Sequence, residues 1–133
     1  MATFTFELVS PERQLFSGPV ESVVVPGTDG DMTVLANHAP LITSLRPGMV
    51  AVNDGKGPSR RIFVRGGFAD ISGAGLTILA EQAIDAADIN AEDVAQQLRN
   101  AEEDLRDAKS PELRIAAEEK LASFREMMAA VRN

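Results

Sequence analysis

The sequence changes character near residue 82, and this change constrains the fold more than any other feature. All ten glycines and six of the seven prolines come before Glu81. Glycine and proline mark the turns between short strands and are disfavoured inside helices. The chain therefore divides into a turn-rich part and a part suited to long helices.

The turn-rich part alternates with the period of two that is typical of β-strands. Phe4, Phe6 and Leu8 alternate with other side chains, and short β-branched runs follow at 20–25, 49–52, 61–65 and 76–79. Runs of this kind, separated by Gly, Pro, Asn and Asp, indicate a sandwich or barrel. The spacing predicts roughly eight to ten strands. We predict one β-sandwich domain over residues 1–82.

From residue 83 onward the composition favours helices. Ala, Glu, Gln, Leu and Arg predominate, and these are good helix formers. Asn90 can cap a first helix, and Ser110 followed by Pro111 can cap and open a second one. Apolar residues recur every three or four positions in both segments. We predict a linker at 83–89 and an antiparallel two-helix hairpin at 90–133.

The apolar stripes of this hairpin are narrow and rich in alanine. Alanine buries little area, and burial stabilises by about 25 cal/mol per Å². The hairpin is therefore expected to be stable only when it packs against another protein surface. The sequence leaves open whether that surface is the β-domain or a partner protein.

Charge and composition exclude several classes of function. There are no cysteines, so disulfides, thiolate metal sites and cysteine nucleophiles are absent. The net charge of −7 repels phosphate, so we expect no nucleic-acid binding. No apolar run approaches the roughly 20 residues of a membrane span, so we expect no bilayer insertion. The first residues lack the pattern of a signal peptide, which favours a bacterial cytoplasmic location.

The sequence offers one candidate pair for acid–base chemistry. His38 is the only histidine, and Asp29 and Asp31 lie near it in sequence. A His–Asp pair can serve acid–base catalysis, but no nucleophile motif accompanies it. Residues 27–31 fit neither a phosphate loop nor a calcium loop. We therefore expect a contact turn, with no catalytic group, metal or cofactor.

Several segments together resemble one family. They are Phe6-Glu7-Leu8-Val9-Ser10-Pro11, Val23-Val24-Val25-Pro26-Gly27, Gly30-Asp31-Met32-Thr33-Val34-Leu35, Asn37-His38-Ala39-Pro40-Leu41, Leu45-Arg46-Pro47-Gly48-Met49 and Val64-Arg65-Gly66-Gly67-Phe68. In this order they resemble the epsilon subunit of bacterial F-type ATP synthase, the counterpart of the mitochondrial delta subunit. The match covers essentially the whole β-domain, whereas the helical part agrees in architecture.

The resemblance implies a flattened ten-stranded β-sandwich with a C-terminal helical hairpin. It implies a non-catalytic place on the rotating central stalk, at the cytoplasmic face of the bacterial inner membrane. The partners implied are the gamma subunit and the polar loops of the membrane rotor ring of c subunits. The family's ring-facing loop corresponds to residues 28–31, with His38 nearby. On this resemblance, Asp29, Asp31 and His38 are expected to contact the ring.

The helical part departs from the family in two respects. Some members bind ATP at a motif Ile/Leu-Asp-x-x-Arg-Ala that opens the first helix. Here Ile89 is kept, but Asn90, Asp93 and Val94 stand in for the acid, the arginine and the alanine. Exchanging a positive for a negative charge beside phosphates turns attraction into repulsion, so we expect weak or no ATP binding.

The second departure concerns inhibition. The family's hairpin can reach the catalytic alpha and beta subunits and inhibit ATP hydrolysis through basic residues. Here the helical part holds twelve acids against seven bases, whereas the β-domain holds eight against six. We therefore expect weak inhibition.

Two other functions remain open on the sequence alone. One is a β-sandwich adaptor that binds an unrelated partner, and the other is a small hydrolase that uses His38.

Overall fold

The structure, a computed structural model, describes residues 2–132, with the backbone alone at Ala130 and Arg132. Met1 and Asn133, the outermost residues of the predicted domains, lie outside the described residues. The strands are β1 Phe4–Val9, β2 Gln14–Val20, β3 Ser22–Gly27, β4 Gly30–Leu35, β5 Leu41–Ser44, β6 Gly48–Asn53, β7 Arg60–Ser72 and β8 Gly75–Asp85. A short 3-10 helix at Ala86–Asp88 follows, then α1 at Ala91–Asp107 and α2 at Pro111–Arg132.

The strands form one continuous hydrogen-bonded array in the order β2-β1-β8-β7-β6-β3-β4, with β5 paired to β7. All neighbours are antiparallel except β1 and β8, which run parallel. The first half of β7 pairs with β6, and its second half pairs with β5. The array thus folds over itself into two layers, and the predicted β-sandwich is confirmed.

Two long strands explain the strand count. β7 has 13 residues and β8 has 11, and they pair along almost their whole length. Gly66 and Gly67 have φ of 71° and 99°, a left-handed conformation that favours glycine and bends β7 without ending it. Each long strand therefore contributes a segment to both layers. Residues 2–132 form eight strands where the resemblance implied ten, because β7 and β8 are each one strand of the chain but supply two strand segments, one in each layer.

The core lies between the two layers and is entirely apolar. Its fully buried members include Phe6, Leu8, Val23, Val25, Val50, Ile62, Val64, Leu76 and Ile78. Fully burying such a side chain stabilises the fold by about 1.5–3 kcal/mol. The alternation seen in the sequence is thus the alternation between core and outer surface.

The boundary between the two parts lies slightly later than the predicted one. Because Phe63 pairs with Ile84 and Ile62 with Asp85, β8 continues three residues past the predicted end of the β-domain at residue 82. Of the predicted linker at 83–89, β8 takes the first three residues and the 3-10 helix takes the next three. The chain separates into two compact units, residues 1–87 and 88–133.

The helical unit is a pair of helices joined by three residues, 108–110. The Asn90 side chain accepts hydrogen bonds from the backbone N–H groups of Glu92 and Asp93, at 2.9 and 3.2 Å. The Ser110 hydroxyl accepts from the N–H of Leu113 at 3.2 Å. Both predicted helix caps are confirmed. The buried apolar side chains all belong to the predicted stripes: Val94, Ala101, Ala117, Leu121 and Met128.

Candidate protein-binding surfaces

The first candidate surface is the turn between β3 and β4, residues 28–31, hereafter the β3–β4 turn. Gly27 pairs with Gly30, so Thr28 and Asp29 form a two-residue hairpin loop. All four residues of the turn are exposed. The Thr28 N–H donates to the Ser44 carbonyl at 3.0 Å, which ties the loop to the end of β5. The turn therefore presents polar groups from a braced position.

Asp31 is held by a charge partner that the sequence did not indicate. Its carboxylate accepts a hydrogen bond from the Arg46 guanidinium, and the two form an ion pair. The Arg46 N–H in turn donates to the Pro26 carbonyl at 3.0 Å, across from the same hairpin. Arg46 thus fixes both the backbone of the hairpin and the Asp31 side chain, and Asp29 is exposed in the loop.

His38 lies at the other end of β4 from the two aspartates. Its N–H donates to the Leu35 carbonyl at 3.2 Å, in a turn where Asn37 has a positive φ of 66°. At about 3.4 Å per residue, the strand between Asp31 and Leu35 alone spans roughly 14 Å. The structure therefore brings Asp29 and Asp31 together but places His38 well away from both.

The surroundings of His38 do not form an acid–base site. The imidazole Nδ1 lies 2.7 Å from the Ala39 carbonyl oxygen, so Nδ1 must carry the hydrogen of this contact. His38 borders an open cavity of about 330 Å³ whose other lining residues, from β1, β4 and the β7–β8 turn, include no acid or base. A general base must lie within about 3 Å of its partner. The structure therefore does not form the His–Asp pair that the sequence left open as an alternative.

The second candidate surface was not found from the sequence. Phe68 and Leu79 lie directly opposite each other on β7 and β8, and Leu79 is also opposite Val9 of β1. Ile42 of β5 pairs with Asp70, diagonal to Phe68. Directly opposed side chains share a face of the sheet. Because Ala69 and Ile78, which adjoin Phe68 and Leu79 along their strands, are fully buried, Phe68 and Leu79 lie on the outer face. Val9, Ile42, Phe68 and Leu79 therefore form one outward cluster, hereafter the outer apolar patch.

The exposure and charge of this patch are those of a binding surface. Ile42 is 68% exposed, Leu79 42% and Phe68 39%. Neighbouring apolar side chains left in water on a rigid sheet mark interaction sites more often than single ones do. The acidic residues Glu7, Asp70 and Glu81 each lie two positions along a strand from a member of the patch, whereas the bases of β7, Arg60, Arg61 and Arg65, all precede its bend at Gly66 and Gly67. The patch thus suits a partner with an apolar centre and basic surroundings.

The start of α1 is poorly suited to phosphate. Helix N-termini bind anions through free backbone N–H groups, but here the Asn90 side chain accepts from two of them. Glu92 and Asp93 add two negative charges in the first turn. Both features disfavour a nucleotide at the degenerate motif of residues 89–94.

Among residues 2–132, no cluster of three or more His, Asp or Glu side chains is placed to hold a metal ion. In the same range, no helix combines the length and apolarity that a membrane crossing requires.

Comparisons with known proteins agree with this architecture. The family model of the ATP synthase, Delta/Epsilon chain, beta-sandwich domain matches residues 3–86. The ATP synthase epsilon chain of Maricaulis maris is 51% identical, over 93% of this chain and 92% of its own length. The chain belongs to the ATP synthase epsilon chain family. The epsilon chain of Parvibaculum lavamentivorans is 48% identical over 92% of both chains.

Solved structures extend the family match to three dimensions. A chain of the Euglena gracilis mitochondrial ATP synthase, in an OSCP/F1/c-ring assembly, superposes with a TM-score of 0.88 at 26% identity. It is matched over 98% of this chain and 82% of its own length. A chain of the Tetrahymena thermophila central stalk/c-ring assembly shares the fold with a TM-score of 0.75 at 12% identity, over 98% of this chain and 97% of its own. The ATP synthase epsilon chain fold is thus retained even where sequence identity is low.

Proposed function

We propose that this epsilon chain is a non-catalytic subunit of the central stalk of the proton-transporting ATP synthase. In this role it joins the gamma subunit to the rotor ring of c subunits at the cytoplasmic face of the bacterial inner membrane. Membership in the epsilon chain family and the likeness to a chain of an F1/c-ring assembly support the proposal. The physical task is to transmit torque, which calls for stiffness and two binding surfaces rather than a reacting group.

The observation that carries the proposal is the direct connection between the two candidate surfaces. The Thr28 N–H donates to the Ser44 carbonyl, and Ser44 pairs with Phe68 in the adjoining strand. Phe68 pairs in turn with Leu79. A continuous row of backbone hydrogen bonds thus runs from the β3–β4 turn through β5 to the outer apolar patch. Force applied at one surface reaches the other without crossing a flexible loop.

We assign the outer apolar patch to gamma and the β3–β4 turn to the polar loops of the ring. The patch has an exposed aromatic side chain, Phe68, of the kind that dominates interface energetics, and its aliphatic neighbours add apolar area that a partner can bury. The turn is small, polar and braced, which suits contact with polar loops. Asp29 and Asp31 are retained as ring contacts. Because His38 lies at the far end of β4, we leave it outside the ring-facing surface.

The test measures the two associations separately. Replacing both Ile42 and Phe68 with serine should weaken binding to purified gamma at least about tenfold, since each interface anchor contributes about 1–2 kcal/mol. Surface plasmon resonance gives the dissociation constant. Leu113→Ser is the matched control, because Leu113 is 59% exposed but lies in the helical unit. Equal binding by the double variant and the control would rule out the assignment to gamma.

The ring contact is tested on membranes. Asp29→Ala and Asp31→Ala should reduce co-sedimentation of the gamma–epsilon complex with membranes that retain the ring. Their affinity for gamma itself should not change. His38→Ala is the control and should behave as the wild type. Full retention of the aspartate variants on membranes would remove the ring assignment while leaving the gamma assignment intact.

A pull-down distinguishes this function from the two alternatives left open by the sequence. The tagged chain should retrieve gamma and the catalytic subunits from bacterial membranes. A free-standing adaptor or hydrolase would retrieve neither. The His38 hydrolase is also disfavoured by the roughly 14 Å of strand that separates the histidine from the aspartates.

A further inference from the structure

A charge cluster at the end of β8 has no part in either binding surface. The Arg60 Nε donates to one carboxylate oxygen of Asp85 at 2.9 Å. The other oxygen of Asp85 accepts from the Ala87 backbone N–H at 3.0 Å. One carboxylate therefore links the first residue of β7 to the turn that follows the last residue of β8.

Arg60 is itself held in place by an aromatic ring. Its guanidinium lies 5.7 Å from the centre of the Phe16 ring of β2, a cation–π contact. Phe16 in turn lies against Phe6, with ring centres 5.4 Å apart. The ion pair is also partly shielded, since the Asp85 side chain is only 20% exposed. The cluster thus anchors Asp85 to the packed interior of the β-sandwich.

The position of Asp85 in the chain gives the cluster its significance. The two compact units meet between Ala87 and Asp88, two residues beyond Asp85. The chain crosses this boundary inside the 3-10 helix that begins at Ala86. A side chain that accepts a hydrogen bond two residues ahead pre-forms such a turn. The carboxylate of Asp85 therefore sets the backbone conformation at the point where the chain leaves the β-sandwich.

We propose that the Arg60–Asp85 pair is a latch on the inter-unit connection, which restricts the directions in which the helical hairpin can leave the β-sandwich. Without Arg60 the Asp85 carboxylate loses its fixed orientation, so its hydrogen bond from the Ala87 N–H weakens and the backbone at 86–88 samples other conformations. The core of the β-sandwich does not depend on this step, because both latch residues lie at strand ends. The inference is independent of which partners the two surfaces bind.

The experiment uses the full chain with two spin labels. The chain has no cysteine, so Thr33→Cys in β4 and Lys109→Cys between the helices give one label in each unit. Asp85→Ala removes both hydrogen bonds of the carboxylate, and Arg60→Gln removes its ion pair. Asp88→Asn is the control, because it removes a carboxylate from the same turn without touching Arg60. Pulsed electron spin resonance gives the distribution of label distances, and hydrogen exchange gives the protection of the amides at 86–88.

Both latch variants should broaden the distance distribution and speed amide exchange at 86–88 at least about tenfold. The control should match the wild type. The urea midpoint of unfolding should fall only modestly in either latch variant, by the small stability that the Asp85 ion pair adds. An unchanged distribution in the latch variants would overturn the proposal, as would equal broadening in Asp88→Asn. Broadening that appears only together with a large loss of β-sandwich stability would also overturn it, since that pattern indicates a purely structural role.

Discussion

Replacing Gly67 with alanine should destabilise the β-sandwich more than the same change at Gly30 or Gly73. A Cβ at Gly67 would overlap the Leu79 carbonyl oxygen and lie only 2.8 Å from the Ala80 Cα. Ordinary Cβ contacts begin at 3.4 Å, so β7 and β8 would have to separate by at least about 0.6 Å. The change acts at the bend that carries β7 from one layer to the other and turns Phe68 outward.

Two effects set the magnitude. The φ of +99° costs a residue with a side chain about 1–3 kcal/mol. Separating the strands weakens the flanking β7–β8 hydrogen bonds, each of which contributes about 0.5–1.5 kcal/mol. A loss of about 3 kcal/mol is expected, a large share of the roughly 5–15 kcal/mol stability of a typical domain. At 4–8 °C per kcal/mol, the Tm should fall by about 12–24 °C.

Two other glycines separate these effects. Gly30 has a φ of +130° but no atom within 4 Å of a built Cβ, so Gly30→Ala carries the backbone strain alone. Gly73 has open space and no positive φ, so Gly73→Ala should be neutral or stabilising by up to about 1 kcal/mol. Urea unfolding of the three variants should rank them Gly73, Gly30, Gly67 in order of increasing loss. A Gly67→Ala midpoint equal to that of Gly73→Ala would refute the reasoning about the bend.

Three further predictions concern charge. Burial raises the pKa of Asp85, but hydrogen bonds from Ala87 and Arg60 and the charges of Arg60 and Arg13 outweigh it, so the pKa lies below the ordinary value of 3.8. The stability that the Asp85 carboxylate adds should therefore be complete above about pH 3.8. It should be lost as the pH falls through the lowered pKa. Unfolding of the wild type and Asp85→Asn against pH checks this, and a stability difference that grows on acidification would contradict it. Calorimetry should detect no micromolar binding of ATP, because Asn90 and Asp93 stand where the family motif has an acid and an arginine. Removing residues 88–133 should raise the ATPase activity of the assembled complex only slightly; a strong rise would mean that the acidic helices inhibit after all.

Local features of the sequence were sufficient for the architecture of each part. The alternation around Phe6 and Leu8 corresponds to the buried and outer faces of β1, because strand periodicity depends only on neighbouring residues. The caps at Asn90 and Ser110 were also predictable, since each bonds to groups two or three residues away. Element ends were less predictable, and β8 extends to Asp85 because of its pairing with Ile62.

The candidate sites depended on contacts between residues distant in sequence. Asp29 and His38 are nine positions apart, and proximity in sequence suggested one shared surface. An intervening extended strand separates them, which the turn residues alone did not indicate. Conversely, no local sequence feature indicates that Asp31 pairs with Arg46 or Asp85 with Arg60, because these residues are distant in sequence and come together only in the folded β-sandwich.

The sequence by itself determined that a glycine-rich β-sandwich precedes two capped helices, and that no cysteine or nucleophile motif supplies chemistry. Only the tertiary structure decided which apolar side chains remain in water. Ile42, Phe68 and Leu79 are indistinguishable from core residues when read along the chain. Their outward direction follows from strand register and from the bend at Gly66 and Gly67, and register depends on pairing between residues far apart in the sequence.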